Sequence, residues 1–195
     1  MKIYGDILTS NVDGPDKRVI LHTAGCTVGC KGCFSPHTHA NSGPNVKELS
    51  ISQITDQCLD RAIDCTTRSI TISGGEPTDQ FQELIDLLRE LRLYNFDSII
   101  VYSGRTLEYL TKHYPQYCDI LMHERLIDVL IDGPFVTLLP ESAFVRGSTN
   151  QKFNFLTPRH TLSDMNHHGV EFHINDDASV TVLGFPTKDV LNYFV

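Results

Sequence analysis

Residues 19–33 read VILHTAGCTVGCKGC, and this stretch decides the fold. Its first part, residues 19–24, is a short apolar run of strand length that ends at a glycine. Its second part places Cys26, Cys30 and Cys33 at the spacing C-x3-C-x2-C, with glycines between them. The sequence therefore predicts a strand that runs directly into a cysteine-rich loop.

Further along the chain, apolar strand-length runs alternate with helical patterns. Strands are predicted at residues 69–73, 98–102 and 129–132, each closely followed by glycine. The first helix is predicted from a capping box of Ser50 and Gln53. Its apolar face carries Ile51, Ile54, Cys58, Ala62 and Cys65, and a second helix carries Phe81, Leu84, Ile85, Leu88 and Leu91. A short helix is predicted to start near Thr106.

This alternation predicts an α/β fold with a parallel sheet, because strand–helix–strand units connect parallel neighbours. The loops that follow the strands would then meet at the carboxyl edge of the sheet, where such folds bind ligands. We expect one domain over residues 1–195, with its core at about 19–155. The less regular segment 156–195 is predicted to contain a hairpin of residues 171–174 and 180–183 around Asp176 and Asp177.

The composition limits the classes of function. A net charge of −8 and scattered basic residues argue against a nucleic-acid partner, since that binding needs clustered Lys and Arg. Neither an apolar stretch of membrane-spanning length nor a secretory signal is found, so we expect a cytoplasmic protein without a membrane partner. In that reducing compartment, three clustered cysteines of six indicate metal or redox chemistry instead of disulfides.

The cysteine loop suits a [4Fe–4S] cluster that lacks one protein ligand. Three thiolates leave one of the four irons open, because such a cluster normally takes four cysteines. Gly25, Gly29 and Gly32 allow positive φ, so that peptide N–H groups can approach anionic sulfurs. The alternative is a structural zinc site, in which His37 would join the three cysteines as the fourth ligand.

The remaining cysteines carry no comparable pattern. Cys58 and Cys65 fall on the apolar face of the first predicted helix, and we interpret both as buried core residues. Cys118 is isolated in the sequence. None of the three is a candidate for the missing fourth ligand.

A second motif, GGEP at residues 74–77, follows the strand 69–73. Gly74 and Gly75 allow backbone groups to contact a ligand, and Glu76 adds a carboxylate that can bind an ammonium group. Alone, the motif is also compatible with a plain turn.

The two motifs together resemble the radical S-adenosylmethionine superfamily. The segments HTAGCTVGCKGCFSPHTH, ISGGEPTDQ, VYSGRTLEYL, VLIDGPFV and RGSTNQKF, in this order, resemble one of its branches, the activating proteins of anaerobic (class III) ribonucleoside-triphosphate reductase. The resemblance covers residues 19–155 and implies a partial (β/α) barrel. It also implies that Cys26, Cys30 and Cys33 hold the cluster, and that Gly74, Gly75, Glu76 and Pro77 contact S-adenosylmethionine.

The same resemblance implies the activity. Such a protein cleaves S-adenosylmethionine reductively and makes a glycyl radical on the large subunit of the reductase, with a low-potential electron donor such as flavodoxin. Two alternatives stay open: a radical enzyme acting on another glycyl radical enzyme, a peptide or a small molecule, and a zinc-stabilised binding module without catalysis.

Further candidates lie at the other strand ends. Tyr102, Ser103 and Gly104 end the third predicted strand and are expected to line the adenosyl site, although a strand-to-helix turn also explains them. Asp132 either faces the site or only forms the turn before Gly133. Asn150, Gln151 and Lys152 are candidates for contact with the cofactor or the partner, without an assigned role.

Overall fold

A computed structural model describes residues 1–174, 180–187 and 190. Its strands are β1 (Lys2–Tyr4), β2 (Leu8–Ser10), β3 (Arg18–Thr23), β4 (Val46–Glu48), β5 (Ser69–Gly74), β6 (Ser98–Ser103), β7 (Val129–Asp132), β8 (Lys152–Phe155), β9 (Val170–Ile174) and β10 (Val180–Gly184). Its helices are α1 (Ile51–Asp64), α2 (Phe81–Leu93), α3 (Leu107–His113) and α4 (Pro115–His123), with short 3-10 helices at Pro36–His39 and Pro77–Gln80.

The centre of the main sheet consists of four parallel strands in the order β3, β5, β6 and β7. This confirms the predicted α/β fold with a parallel sheet. Antiparallel strands flank the centre: β1 and β2 pair with β3, β4 pairs with β1, and β8 pairs with β7. The sequence did not predict these flanking strands, because segments of three or four residues are too short to show a periodic pattern.

Helix α1 begins with the predicted capping box. Ser50 Oγ accepts a hydrogen bond from Gln53 N at 3.2 Å, and Ser50 N donates to Gln53 Oε1 at 2.9 Å. Cys58 is fully buried, as predicted. The interpretation of Cys65 as a core residue is wrong, because α1 ends at Asp64 and leaves Cys65 partly exposed at the C-cap.

The two faces of the sheet are covered differently. Helices α1, α2 and α4 cover the outer face and form the larger core with the side chains Val19, Leu21, Ile70, Ile72, Ile99, Val101 and Leu130. On the inner face, Ile100, Val129 and Ile131 pack against Val145, Met165 and Phe185. The chain beyond β7 therefore closes the inner face of the sheet.

Strands β9 and β10 form the predicted C-terminal hairpin, with Val170 paired to Gly184 and Ile174 paired to Val180. The expected turn at Asp176 and Asp177 lies outside the described residues. None of the helices in the described ranges has the length and apolar character needed to cross a bilayer.

Candidate metal centre

The cysteine loop, residues 25–33, leaves β3 at the carboxyl edge of the sheet. Its start is fixed by the 3-10 helix Pro36–His39, which folds back beneath it. Gly25 N donates to Thr38 O at 2.8 Å, and Cys26 N donates to His39 O at 3.2 Å. These bonds place the first cysteine directly at the end of the strand.

The three glycines of the loop adopt the predicted conformations. The φ angles of Gly25, Gly29 and Gly32 are 95°, 66° and 76°, a region that side chains with a Cβ rarely occupy. Gly32 also lies against Thr137, whose hydroxyl donates to Lys31 O at 3.0 Å. The loop is therefore curled on itself and supported by the chain that follows β7.

Cys26, Cys30 and Cys33 all have free thiols and are partly exposed. Ser35 N donates to Cys33 Sγ at 3.4 Å, and the backbone of Phe135 is hydrogen-bonded to the Cys30 thiol. Burial raises the pKa of Cys30 and of Cys33, so that protons must leave when iron binds. Three thiols on one glycine-rich loop, with peptide groups bonded to two of them, fit the donor set of a [4Fe–4S] cluster with one open iron.

His37, the candidate fourth ligand of a zinc site, lies against Tyr4. The residue is exposed, and its ring centroid lies 4.9 Å from that of Tyr4. Among the residues that the structure describes, no three Cys, His, Asp or Glu side chains converge on a single metal ion. A zinc ion needs its ligands within about 2.3 Å of one point, whereas a cluster spreads its thiolates over separate irons.

Gly74 and Gly75 bring the end of β5 into contact with the cysteine loop. Gly75 N donates to Thr23 O, and Glu76 N donates to Gly25 O, both at 2.8 Å. A Cβ on Gly75 would lie 2.2 Å from Gly25 O, and one on Gly74 would lie 2.7 Å from Thr23 N. The close contact between the two backbones is therefore enough to explain why glycine occupies both positions.

The Glu76 carboxylate is 1% exposed and joins the ends of β5 and β6. Its Oε1 accepts from Thr78 N at 3.0 Å, from Thr78 Oγ1 at 2.6 Å and from Ser103 Oγ at 2.9 Å. Its Oε2 accepts from Gly104 N at 2.7 Å. Each carboxylate oxygen has two lone pairs, and among the described residues Oε2 accepts only this one hydrogen bond, so it retains room for one more donor.

The contacts of Pro77 and Tyr102 are within the fold itself. Pro77 is buried and starts the 3-10 helix Pro77–Gln80. The Tyr102 hydroxyl donates to Val145 O at 2.6 Å, and burial raises the pKa of this phenol. Tyr102 thus connects β6 to the segment that closes the inner face.

Asp132 is buried at the end of β7. Its Oδ2 accepts a hydrogen bond from Leu107 N in the first turn of α3. Within the described chain its Oδ1 is buried without a hydrogen-bond partner. An unpaired buried acceptor is costly, so Oδ1 is suited to a donor from a ligand.

The GSTNQK segment holds the loop that follows β7. Gln151 Nε2 donates to Gly133 O at 3.1 Å, and Asn150 Nδ2 donates to Pro134 O at 2.8 Å. Asn150 Oδ1 is buried and has no partner among the described residues. Lys152 pairs with Asp132 across β7 and β8 and is exposed.

Three polar residues at this edge were not singled out from the sequence. Thr27, Asp79 and Arg105 are hydrogen-bonded to one another, although they come from three different segments of the chain. Each lies within a few positions of a predicted site residue: Thr27 in CTVGC, Asp79 in GGEPTDQ and Arg105 in YSGRT. Their closeness to those motifs is the feature of the sequence that could have identified them as candidates.

Comparison with known proteins decides the family. Residues 12–154 match the model of the 4Fe-4S single cluster domain. The chain is 33% identical over 155 residues to an anaerobic ribonucleoside-triphosphate reductase-activating protein of Salmonella typhimurium. The matched region covers 74% of this chain and 92% of that protein. The chain belongs to this activating-protein family. Family membership confirms the predicted radical S-adenosylmethionine class and the [4Fe–4S] cofactor.

Two further relatives and one solved structure are also similar to this chain. The Salmonella typhi activating protein is 32% identical over 155 residues, covering 74% of this chain and 92% of that one. A pyruvate formate-lyase-activating enzyme of Staphylococcus aureus is 36% identical over 83 residues, which is 42% of this chain and 33% of the enzyme. The crystal structure of QueE from Escherichia coli superposes with a TM-score of 0.40 and 20% identity, covering 54% of each chain.

Proposed function

We propose that this protein cleaves S-adenosylmethionine reductively at a [4Fe–4S] cluster and generates a glycyl radical on anaerobic ribonucleotide reductase. One observation carries the proposal: the loop with the three free thiols is hydrogen-bonded to the GGEP loop. The chain also matches the activating-protein family over most of its length.

Cys26, Cys30 and Cys33 would hold the cluster. When bound, the cluster supplies the electron that breaks a C–S bond of S-adenosylmethionine, which yields methionine and a 5′-deoxyadenosyl radical. The protein contributes the loop geometry that leaves one iron without a protein ligand. The N–H group of Ser35 and the backbone of Phe135 would stabilise the thiolates that hold the iron.

The S-adenosylmethionine site would lie beside the cluster, at the ends of β5, β6 and β7. Its two best-supported contacts are Glu76 Oε2, which has acceptor capacity left, and Asp132 Oδ1, which is buried and unpartnered. Both carry negative charge and suit the ammonium group or hydroxyl groups of the ligand. The other candidates, Gly74, Gly75, Pro77, Tyr102, Ser103 and Gly104, would shape the site around them.

The proposed partner is the glycyl radical subunit of the reductase, since the relatives over most of the chain are named for activating it. A low-potential donor such as flavodoxin would reduce the cluster. We place the protein in the cytoplasm, where such donors and reduced thiols are found.

The test is an anaerobic reconstitution followed by reduction with S-adenosylmethionine, with and without the reductase subunit. Iron and sulfide content, 5′-deoxyadenosine formation and the EPR spectrum are measured. We expect about four irons per chain and a glycyl radical signal that appears only with the partner. One zinc per colourless chain would contradict the proposal, as would cofactor cleavage that never yields a protein radical.

Another glycyl radical enzyme is the second candidate substrate, because one relative is named a pyruvate formate-lyase-activating enzyme. That relative matches over a shorter stretch, 83 residues against 155. Adding pyruvate formate-lyase in place of the reductase in the same EPR assay distinguishes the two partners.

A further inference from the structure

Thr27, Asp79 and Arg105 tie the cysteine loop to the two neighbouring strand ends. Thr27 lies in the cysteine loop, directly after Cys26. Asp79 lies in the 3-10 helix that follows GGEP, and Arg105 lies between β6 and α3. We call these three residues the loop clamp.

The hydrogen bonds of the clamp form a closed set. Asp79 Oδ2 accepts from Thr27 N at 2.8 Å, and Oδ1 accepts from Thr27 Oγ1 at 3.0 Å. Arg105 Nη2 donates to Asp79 Oδ1 at 2.6 Å and to Thr27 Oγ1 at 2.7 Å. Arg105 Nη1 donates to Thr78 Oγ1 at 3.0 Å, and Thr78 itself bonds to Glu76. Thr27 therefore has both its N–H and its hydroxyl held by charged side chains.

The clamp differs from an ordinary surface ion pair. The Arg105 and Asp79 side chains are 13% and 18% exposed, whereas those of Arg89 and Glu124 are each 41% exposed at the same closest distance of 2.6 Å. Thr27 itself is exposed, but the reduced exposure of Arg105 and Asp79 limits the screening of their ion pair by water and salt and so strengthens the hydrogen bond between them. The clamp can therefore hold the backbone in one conformation.

The position of Thr27 makes this restraint relevant to iron binding. It lies between Gly25 and Gly29, both at positive φ, in a stretch where glycine gives the free backbone much conformational freedom. Holding the Thr27 N–H fixes the peptide bond that joins it to Cys26. Because Cys26 N is also held by His39 O at 3.2 Å, the direction of the Cα–Cβ bond of Cys26 is then fixed from both sides.

We propose that Asp79 and Arg105 are positioning residues for the cluster, acting through Thr27 on the orientation of Cys26. The inference rests on the cluster ligands of the proposed function, but not on the cofactor or the partner. The clamp orders the first half of the loop before iron arrives and slows the release of iron afterwards.

The test compares Thr27→Val and Asp79→Asn with two matched controls. Thr27→Ser keeps the hydroxyl, and Glu124→Gln removes one charge from the exposed pair with Arg89. Each protein is reconstituted anaerobically without S-adenosylmethionine. The rate of iron loss to a chelator and the EPR spectrum of the reduced cluster are recorded, together with the thermal unfolding of the iron-free protein.

We expect Asp79→Asn and Thr27→Val to lose iron about tenfold faster than the wild type, with a changed EPR line shape. Thr27→Ser and Glu124→Gln are expected to stay within about twofold of the wild type. Wild-type rates and spectra in both Thr27→Val and Asp79→Asn would overturn the inference, as would a change in thermal unfolding alone. If Asp79→Asn fails to fold, Thr27→Val decides the question.

These outcomes are separate from those of the proposed function. A wild-type protein that binds four irons but forms no glycyl radical would refute the proposed activity and leave the clamp experiment valid. A wild-type protein that binds no cluster would refute both.

Discussion

The surroundings of each cysteine decide its chemistry, although all six side chains are the same. Cys26, Cys30 and Cys33 are partly exposed on a loop with backbone donors nearby. Cys58 is fully buried among apolar side chains, and burial raises the pKa of its thiol to about 12. A thiol of that kind packs as a small hydrophobic group and does not bind metal.

Replacing Cys30 and Cys58 separately tests this distinction. Cys30→Ala is expected to abolish cluster binding while leaving the stability of the iron-free protein nearly unchanged. Cys58→Ala is expected to keep the cluster and to lower the free energy of unfolding by about 1 kcal/mol, because it leaves a small cavity. Iron analysis and denaturant unfolding measure the two effects. Loss of iron in Cys58→Ala would show that α1 contributes to the metal centre.

His22, on the inner face of β3, makes stability depend on pH. Burial lowers its pKa from 6.5 to about 4, and the nearby His37 lowers it further in the same direction. The unfolded chain then binds the proton more readily than the folded chain, so the free energy of unfolding falls as the pH drops from about 6.5 toward about 4.

The His22→Gln variant isolates this effect from that of the carboxylates. Over the same pH window, the wild type should take up about one proton more on unfolding than the variant. Urea unfolding of both proteins at several pH values gives the difference. Parallel stability curves for the two proteins would show that His22 is not the titrating group.

At the scale of the elements, the site forms because three strand ends are held together by backbone contact and by one buried carboxylate. Gly75 allows the β5 end to touch Gly25, and Glu76 reaches across to Ser103 and Gly104. The sequence predicted which strand ends would meet, since parallel strands share one carboxyl edge. The hydrogen-bond partners of Glu76 follow only from the packed structure.

Gly75→Ala tests the backbone contact. The added Cβ would lie 2.2 Å from Gly25 O, where neither backbone can move away cheaply. We expect a loss of roughly 2–4 kcal/mol in the free energy of unfolding and a reduced iron content. Gly5→Ala is the control, since its Cβ meets nothing within 4 Å and only its φ of 66° is strained. That control should cost about 1 kcal/mol and leave the iron content unchanged.

At the scale of the whole molecule, the chain after β7 completes the fold by covering the inner face of the sheet. Met165 and Val145 are fully buried there against Ile131 and its neighbours. Glu171 also accepts hydrogen bonds from Asn11 N and Nδ2, at 2.9 and 3.0 Å, which joins the hairpin to the loop before β3. A single domain over residues 1–195 stays a prediction that agrees with these contacts.

Met165→Ala tests the contribution of this segment. Removing a fully buried methionine side chain is expected to lower the free energy of unfolding by about 2–4 kcal/mol in a single cooperative transition. Leu162→Ala, at a position 53% exposed, should change it by less than about 0.5 kcal/mol. An early, separate transition for Met165→Ala would show that the segment unfolds independently of the sheet.

The sequence by itself determined the parallel centre of the sheet, helices α1 and α2, the cysteine loop and GGEP, because each depends on local periodicity or on close spacing. It did not determine the short flanking strands or the partial exposure of Cys65. It also did not reveal the clamp of Thr27, Asp79 and Arg105. Asp79 and Arg105 lie 52 and 78 positions from Thr27 in the chain. Only the packing of parallel strands side by side brings side chains so distant in sequence within hydrogen-bonding distance.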